Sequence, residues 1–412
     1  MNQMKMKNVN ENLKKNKKNS KKLVKKVKMG WGNIMKILGM MSGTSGDGID
    51  GALVDFLEDG SCKLLWHKSF DFTKAQFERI QMLMKPCSSI DITLGNSYIA
   101  ELYAKAYDFF VESIEDKPDY LAVHGQTVWH QPKPVVWDDI NLTGSLQIID
   151  APRLAIKTGV PVINNFRTAD MAVGGQGAPL VPFADLKLFG NLFPEDCIVL
   201  NCGGMANITA IRKVNNKAEV FCAFDTGPAN VLMDAYMQTN NIGNYDKDGL
   251  LAASGSTIKE ILDDIMQDPY FKAPYPKSTG REYFNQSILG RFNSGYSNAD
   301  VMSTLLDVTV LSIAEAIKML DGKLRFPLRL IAAGGGALNK ELIRRLKTEL
   351  MGYCSVCTSE DFGVPIMARE AMAFAILGYA FIVGEPSNVP TATGAKCPVI
   401  LGQLSKPAKK QN

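Results

Sequence analysis

The sequence predicts an α/β protein of two related lobes facing a cleft. Three observations carry this. Short apolar strands alternate with segments of helical spacing along the chain. The order hairpin, strand, helix occurs in the first part and again in the second, without a fixed sequence period. With 412 residues, 46% of them hydrophobic, the chain is long enough to divide into more than one core.

The elements follow in order. Residues 35–40 (MKILGM) read as a buried strand and 49–56 (IDGALVDF) as its return, so 42–48 becomes the small-residue tip of a hairpin. Residues 96–114 have helical spacing, and 120–123 (YLAV) form a strand ending in His124-Gly-Gln-Thr. A second hairpin is expected from 197–200 and 208–211, with NCGGMAN (201–207) at its tip. Residues 221–225 make a strand ending in Asp-Thr-Gly-Pro, and a helix follows over 230–237. The strand 328–333 leads through Gly334-Gly-Gly336 into a helix over 340–350, and 366–383 reads as a largely apolar helix buried between the lobes.

Charge and cysteine content narrow the chemistry. The first 29 residues hold 11 Lys against one Glu, so the rest of a chain whose net charge is +4 is acidic by six. That argues against a nucleic-acid surface. The basic segment lacks the apolar stretch of a signal peptide, and it is expected to be a disordered, solvated tail. No apolar run reaches the roughly 18 residues a membrane span needs, so the chain is read as soluble. The eight cysteines are scattered, which suggests a reducing compartment. The lone pair Cys354/Cys357 lacks the second ligand pair of a zinc site. His124 and His130 flank an apolar stretch with Trp129 and read as packing residues rather than metal ligands.

Three glycine-rich turns stand at strand ends: 42–48, Gly203–Gly204 and Gly334–Gly336. Glycine lets backbone N–H groups approach an anion closely, and three such turns suit the triphosphate and adenosine of a nucleotide. Neither a P-loop nor a dinucleotide-binding glycine fingerprint is present. Among the carboxylates beside these turns, Asp47 and Asp50 flank the first. Asp225, at a strand end, is the better candidate for an oxygen ligand to Mg²⁺.

MSGTSGDGID (41–50), HGQTVWH (124–130), FRTADMAVGGQGAPLVP (166–182), NCGGMANIT (201–209), DTGPANVLMDA (225–235), DPYFKAPYPKSTGREYFN (268–285) and AAGGGALN (332–339) resemble, in order, the signatures of the anhydro-N-acetylmuramic acid kinases. The resemblance runs from about residue 35 to 402. It implies the two-lobed actin/hexokinase-like (ribonuclease H-like) fold, ATP with Mg²⁺, a cytoplasmic homodimer and a role in cell-wall recycling, without nucleic-acid or membrane partners. The implied reaction opens 1,6-anhydro-N-acetylmuramic acid with water and phosphorylates O6. The matching motifs carry the phosphate loop onto Gly43, Thr44, Ser45, Gly46, Asp47, Gly48, Ile49 and Asp50. They carry the catalytic base onto Asp170, and a sugar-proximal glutamate onto Glu370. Gly203, Gly204 and Asn207 form the second nucleotide element, and Gly334, Gly335 and Gly336 the third. His124 or Gln126, at a strand end, is expected to hydrogen-bond the substrate. Arg167 either balances phosphate charge or orients Asp170. Lys277, Ser278 and Arg281 form a basic turn that is either solvated or close to substrate.

Two positions depart from the family pattern. Gly46 stands where Leu is usual, so Leu is expected to be tolerated there, and Ala229 replaces a glycine. The expected organisation is a basic tail over 1–34, a first lobe over 35–194 with the first phosphate hairpin and Asp170, a second lobe over 195–402 with the second hairpin and the adenosine turn, and a flexible tail over 403–412. An ordinary sugar kinase and a non-catalytic ATP-binding protein of the same fold are the alternatives.

Overall fold

The computed structural model describes residues 35–43, 46–292 and 295–408. The expectations for the basic tail 1–34, for Thr44 and Ser45, and for residues 409–412 lie outside these. Among the described residues two compact units emerge, one drawn from those up to 177 together with 374–388 and those from 395 on, the other from 178–373 and 389–394.

The first unit contains β1 (Met35–Met41), β2 (Gly48–Phe56), β3 (Cys62–Asp71), β4 (Tyr120–Val123) and β7 (Val162–Asn164), together with a separate two-stranded ribbon of β5 (Gln126–Trp137) and β6 (Ile140–Ile148). The second unit contains β8 (Cys197–Cys202), β9 (Met205–Val214), β10 (Lys217–Pro228), β11 (Leu328–Ala333) and β12 (Cys354–Thr358). A last strand, β13 (Gln403–Ser405), returns to the first sheet and pairs antiparallel with β7.

Both sheets have the same plan. In the first, β1, β2 and β3 form an antiparallel meander, and β4 and then β7 add in parallel on the other side of β1. In the second, β8, β9 and β10 form the meander, and β11 and then β12 add in parallel beside β8. Numbered within each unit, the order is 3-2-1-4-5 twice. The meanders are local hairpins, whereas each parallel step needs a crossover, which here contains a helix.

Helices Ser89–Val111 and Asn298–Lys318 precede the first parallel strand of their respective sheets. Ser88 and Asp91 make a reciprocal capping box at the start of the first. Leu102, Tyr103 and Phe110 from this helix share a buried core with Leu38, Met40, Ile49 and Leu53. In the second unit Met302, Leu306 and Ile313 share a core with Ile198, Leu200 and Ile208.

The division falls elsewhere than between residues 194 and 195. Helix Val181–Phe189 buries Phe183, Ala184 and Phe189 and contacts β9 and β10, so 178–194 belong with the second unit. Nor is 403–412 simply a tail, since β13 supplies ladder hydrogen bonds to β7 and Leu401 before it is fully buried. Helix Arg369–Val383 forms three residues later than expected. Among the described residues, no helix is long and apolar enough to cross a membrane.

Candidate active site

In the first unit the site is organised around a short helix and a glycine turn. Asp170 lies in helix Thr168–Ala172, which follows β7 directly. Its side chain is fully buried. Oδ2 accepts the Gly177 N–H at 2.8 Å, and Oδ1 accepts an amide N–H of Asn388 at 2.8 Å. Asn388 is itself fixed. Its Oδ1 accepts the Val399 N–H at 2.7 Å, and its Nδ2 also donates to the Cys397 carbonyl at 3.2 Å. The amide therefore has one sensible orientation, nitrogen toward Asp170. Gly175 runs so close to this carboxylate that a Cβ there would collide with it, which explains the glycine in GGQG.

His124 and Arg167 form a second buried pair. The His124 ring uses Nδ1 on the Gly125 carbonyl at 3.0 Å, while Nε2 accepts from Arg167 Nη2 at 3.0 Å. Burial, with the Arg167 charge adding to it, holds the imidazole down to about 3; it is a neutral acceptor. Burial also lowers the Arg167 guanidinium to about 10. Arg167 Nη1 donates to the Gly177 carbonyl at 3.1 Å, so His124, Arg167, Gly177 and Asp170 form one connected chain. Both ring nitrogens of His124 are thus engaged within the protein, which leaves the ring oriented to hold Arg167.

The first glycine hairpin is held by Gln126. Its Oε1 accepts from Ser42 Oγ at 2.8 Å and its Nε2 donates to the Gly43 carbonyl at 3.2 Å. Gln126 therefore supports the loop, the more so because its Nε2 also lies 3.7 Å from Met84 Sδ. Gly46 has φ +67°, and a Cβ there would lie 2.9 Å from Ile80 Cγ2. In this conformation Leu at 46 is strained, contrary to the expected tolerance. At the loop's far side Gly48 and Ile49 begin β2, and the Asp47 carbonyl accepts the Phe72 N–H. Asp50 accepts from Ser69 Oγ, and burial raises its carboxyl.

The second unit holds the other two glycine turns. The Gly203 and Gly204 carbonyls accept the N–H groups of Ala229, Asn230 and Val231. They cap helix Asn230–Thr239, which has no side-chain cap. Gly203 N–H donates to Met205 O, and a Cβ at Gly204 would lie 3.8 Å from Arg281 Nη2. Gly334 and Gly336 press against Asn201 and Cys202 at the end of β8, whereas Gly335 faces open space.

Asp225 lies opposite Asn207 in the β9–β10 ladder, next to a bulge. Its Oδ2 accepts the Thr279 N–H at 2.9 Å. Burial pushes its carboxyl up to about 6, against the pull of that hydrogen bond. Lys277 donates to the Tyr270 and Phe271 carbonyls, and burial lowers its ammonium, so its place in the basic turn is structural. Arg281 remains exposed. It faces Asp234, whose carboxyl burial raises to about 6 while Arg281 opposes the shift.

A buried ion pair in this unit has no counterpart in the sequence reading. Arg369 donates Nε and Nη2 to the two Asp185 oxygens at 2.9 and 2.6 Å, and Nη1 to Asn201 Oδ1 at 3.2 Å. Thr209 Oγ1 donates to Asp185 as well. Arg369 thereby fixes the first turn of the helix that carries the half-buried Glu370. The signal available was a charged residue opening an otherwise apolar helix. Asn388 had none, being 218 residues from Asp170.

The cysteine and histidine pairs behave differently from ligand clusters. Cys354 and Cys357 are three apart on a strand, so their side chains leave opposite faces, and burial pushes the thiols up to about 12 and 11. His130 Nδ1 meets Ser145 Oγ at 2.9 Å. Among the described residues, no group of three or more His, Cys, Asp or Glu could hold a metal.

Two sheets that share a 3-2-1-4-5 core order, the first extended by β13, and each with a glycine tip on its first hairpin, define the actin/hexokinase class of fold. A family model described as anhydro-N-acetylmuramic acid kinase matches residues 35–407, and the chain belongs to that family. Relatives bearing the same description include a protein of Shewanella amazonensis, 40% identical over 373 residues that cover 89% of this chain and 97% of the relative. One from Synechococcus is 37% identical over 391 residues, covering 91% and 100%. Another, from Caldanaerobacter subterraneus, is 35% identical over 386 residues, covering 90% and 96%.

Proposed function

We propose that this enzyme uses ATP to convert 1,6-anhydro-N-acetylmuramic acid into N-acetylmuramic acid 6-phosphate. The observation that carries the reading is the Asp170 carboxylate, buried and gripped on both oxygens within the motif that the family model spans. A carboxylate so oriented can take a proton from one water while the water oxygen attacks C1 of the sugar. The C1–O6 bond breaks on the opposite face, as in inverting glycoside hydrolysis. O6 then bonds to the γ-phosphorus of ATP and ADP leaves. The electrons released from the C–O bond are captured by phosphorus, so the leaving oxygen needs no separate acid.

The other roles follow from the local geometry. His124 positions Arg167, and Arg167 braces Gly177 against Asp170. Asn388 aims the base. The loop Gly43–Asp50, steadied by Gln126, serves the phosphates. In the second unit Gly203, Gly204, Asn207 and Gly334–Gly336 serve the nucleotide, with Glu370 assigned to the sugar.

Mg²⁺ supplies charge neutralisation on the phosphates when bound. Asp225 fits as its protein ligand, directly or through water, because a carboxyl raised to about 6 by burial regains its charge beside a cation. A single carboxylate suffices when phosphate and water complete the shell. Eight cysteines without a disulfide favour the cytoplasm as the place of work.

The test is to incubate the protein with Mg-ATP and the anhydro sugar in ¹⁸O-labelled water and follow the products by mass spectrometry. The label is expected on C1 and not in the phosphate. Faster turnover of glucose or of open N-acetylmuramic acid returns the assignment to an ordinary sugar kinase, and label in the phosphate means that water attacks ATP.

A further inference from the structure

Residues 277–279 are laced to Asp225 of β10. The Asp225 N–H donates to the Lys277 carbonyl at 3.0 Å, and Asp225 Oδ2 accepts the Thr279 N–H at 2.9 Å. Tyr270 adds a third tie, its hydroxyl donating to the Asp225 carbonyl at 2.8 Å. Lys277 is spent on the Tyr270 and Phe271 carbonyls. The turn is therefore held in place, and what it presents beside Asp225 is set by the fold.

Two polar groups of this turn are uncommitted. Thr279 Oγ1 is buried and has no hydrogen-bond partner among the described residues. A buried hydroxyl left so costs the folded state and calls for an explanation. The same residue binds the Asp225 carboxylate through its N–H, so hydroxyl and carboxylate are neighbours. The second group is the Arg281 guanidinium. It is exposed, and it lies at the tip of the second glycine hairpin, where a Cβ at Gly204 would stand 3.8 Å from Nη2 and 3.9 Å from Nε. The charge of Asp234 acts on it, but no ion pair joins the two. Glu282 folds its carboxylate back onto Gly280. A bare anion would meet Asp225, Asp234 and Glu282 here, against one arginine. An anion that brings its own divalent cation would not be repelled.

We propose that Arg281 donates to the terminal phosphates of the nucleotide, and that the Thr279 hydroxyl hydrogen-bonds the hydration shell of the cation held by Asp225. The proposal rests on the reading that the second unit binds Mg-ATP. A guanidinium at this tip neutralises charge on the group being transferred. Thr279 acts through the cation, as a positioning residue. The carboxylate of the acidic sugar is the other anion an arginine could hold; the glycine turn favours phosphate.

The test uses the full chain without sugar. Calorimetry follows Mg-ATP and AMP on wild type, Arg281→Met, Arg281→Lys, Thr279→Val and Thr279→Ser. Arg281→Met is expected to weaken Mg-ATP roughly 10–100-fold, the worth of a hydrogen bond to a charged group, and to leave AMP unchanged. Arg281→Lys recovers part of the loss, a point charge replacing the planar fork. Thr279→Val is expected to raise the Mg²⁺ concentration for half-maximal ATP binding roughly two- to ten-fold. Before nucleotide is added it melts no lower than wild type, because the atom removed has no protein partner. Thr279→Ser restores the wild-type Mg²⁺ requirement. Unchanged Mg-ATP affinity in Arg281→Met, or an equal loss for ATP and AMP, overturns the role of Arg281. Unchanged ATP affinity with a raised KM for the anhydro sugar gives the arginine to the sugar carboxylate instead. A Mg²⁺ requirement unmoved by Thr279→Val, or a lower melting point of that variant without nucleotide, overturns the role of the hydroxyl. A wild type that binds no Mg-ATP refutes the nucleotide reading itself.

Discussion

Replacing Asp225 by Asn should stabilise the protein, and more so as the pH rises. Burial raises the Asp225 carboxyl from the ordinary 3.8 to about 6. A pKa unit is worth about 1.4 kcal/mol, so the charged form costs the folded state about 3 kcal/mol. The folded protein holds this proton more tightly than the unfolded chain. Stability from that site is therefore full below pH 4, declines as the pH rises and is lost above about pH 6. Asn has the same shape and still accepts the Thr279 N–H, but it does not titrate. In urea melts the variant should gain little at pH 4 and about 3 kcal/mol at pH 8. Mg-ATP should stabilise wild type more than the variant, because the cation compensates the charge only where there is one. A gap between the two proteins that is the same at pH 4 and pH 8 would refute the argument.

Four further substitutions separate chemistry from architecture. Asp170→Asn keeps the volume but cannot accept the proton; kcat should fall by about 10²–10⁴ with ATP affinity retained, and a near-normal kcat would make Asp170 structural and Glu370 the next candidate. Asn388→Leu removes a hydrogen bond to a charged group, worth about 1.5–3 kcal/mol; single-turnover rates should drop roughly 10–100-fold at unchanged ATP affinity, and an unchanged rate removes Asn388 from the site. Gly46→Leu forces a left-handed backbone on a branched residue, at about 1–2 kcal/mol, so the KM for ATP should rise; a lower KM would show that the loop prefers another conformation. Asp185→Asn leaves the Arg369 guanidinium buried without its counter-charge, a loss of about 3–5 kcal/mol measurable by thermal unfolding, and a melting point equal to wild type would contradict the buried pair.

Where the sequence was legible, the signal was local. Strands Tyr120–Val123 and Leu328–Ala333 fall where an apolar run ends in a glycine turn. The helix Asn298–Lys318 was missed because it is buried on nearly every side, and a helix without a polar face shows no 3.6-residue period. The ribbon was missed for a related reason: Gln126–Trp137 contains two prolines and two bulges, which break the alternation of a strand. Asp170 was singled out only by the resemblance of FRTADMAVGGQGAPLVP (166–182) to a family motif, and its role is the one proposed above. Asn388 and Asp185 were not, because what matters about them is a partner far along the chain, Asp170 for one and Arg369 for the other.

The strand β13 bears on how the molecule is made. The first unit opens with β1 but needs residues 374–388 and 395–405 to finish its sheet. The second unit draws on 178–373 and only six later residues. A ribosome therefore delivers nearly all of the second unit before the first can close, although the first was begun earlier. Until Gln403–Ser405 emerge, β7 offers an open edge of unpaired backbone to any passing strand. A nascent chain stalled short of residue 403 would thus be the form most in need of a chaperone, and a truncation there should appear as insoluble protein rather than as a weak enzyme.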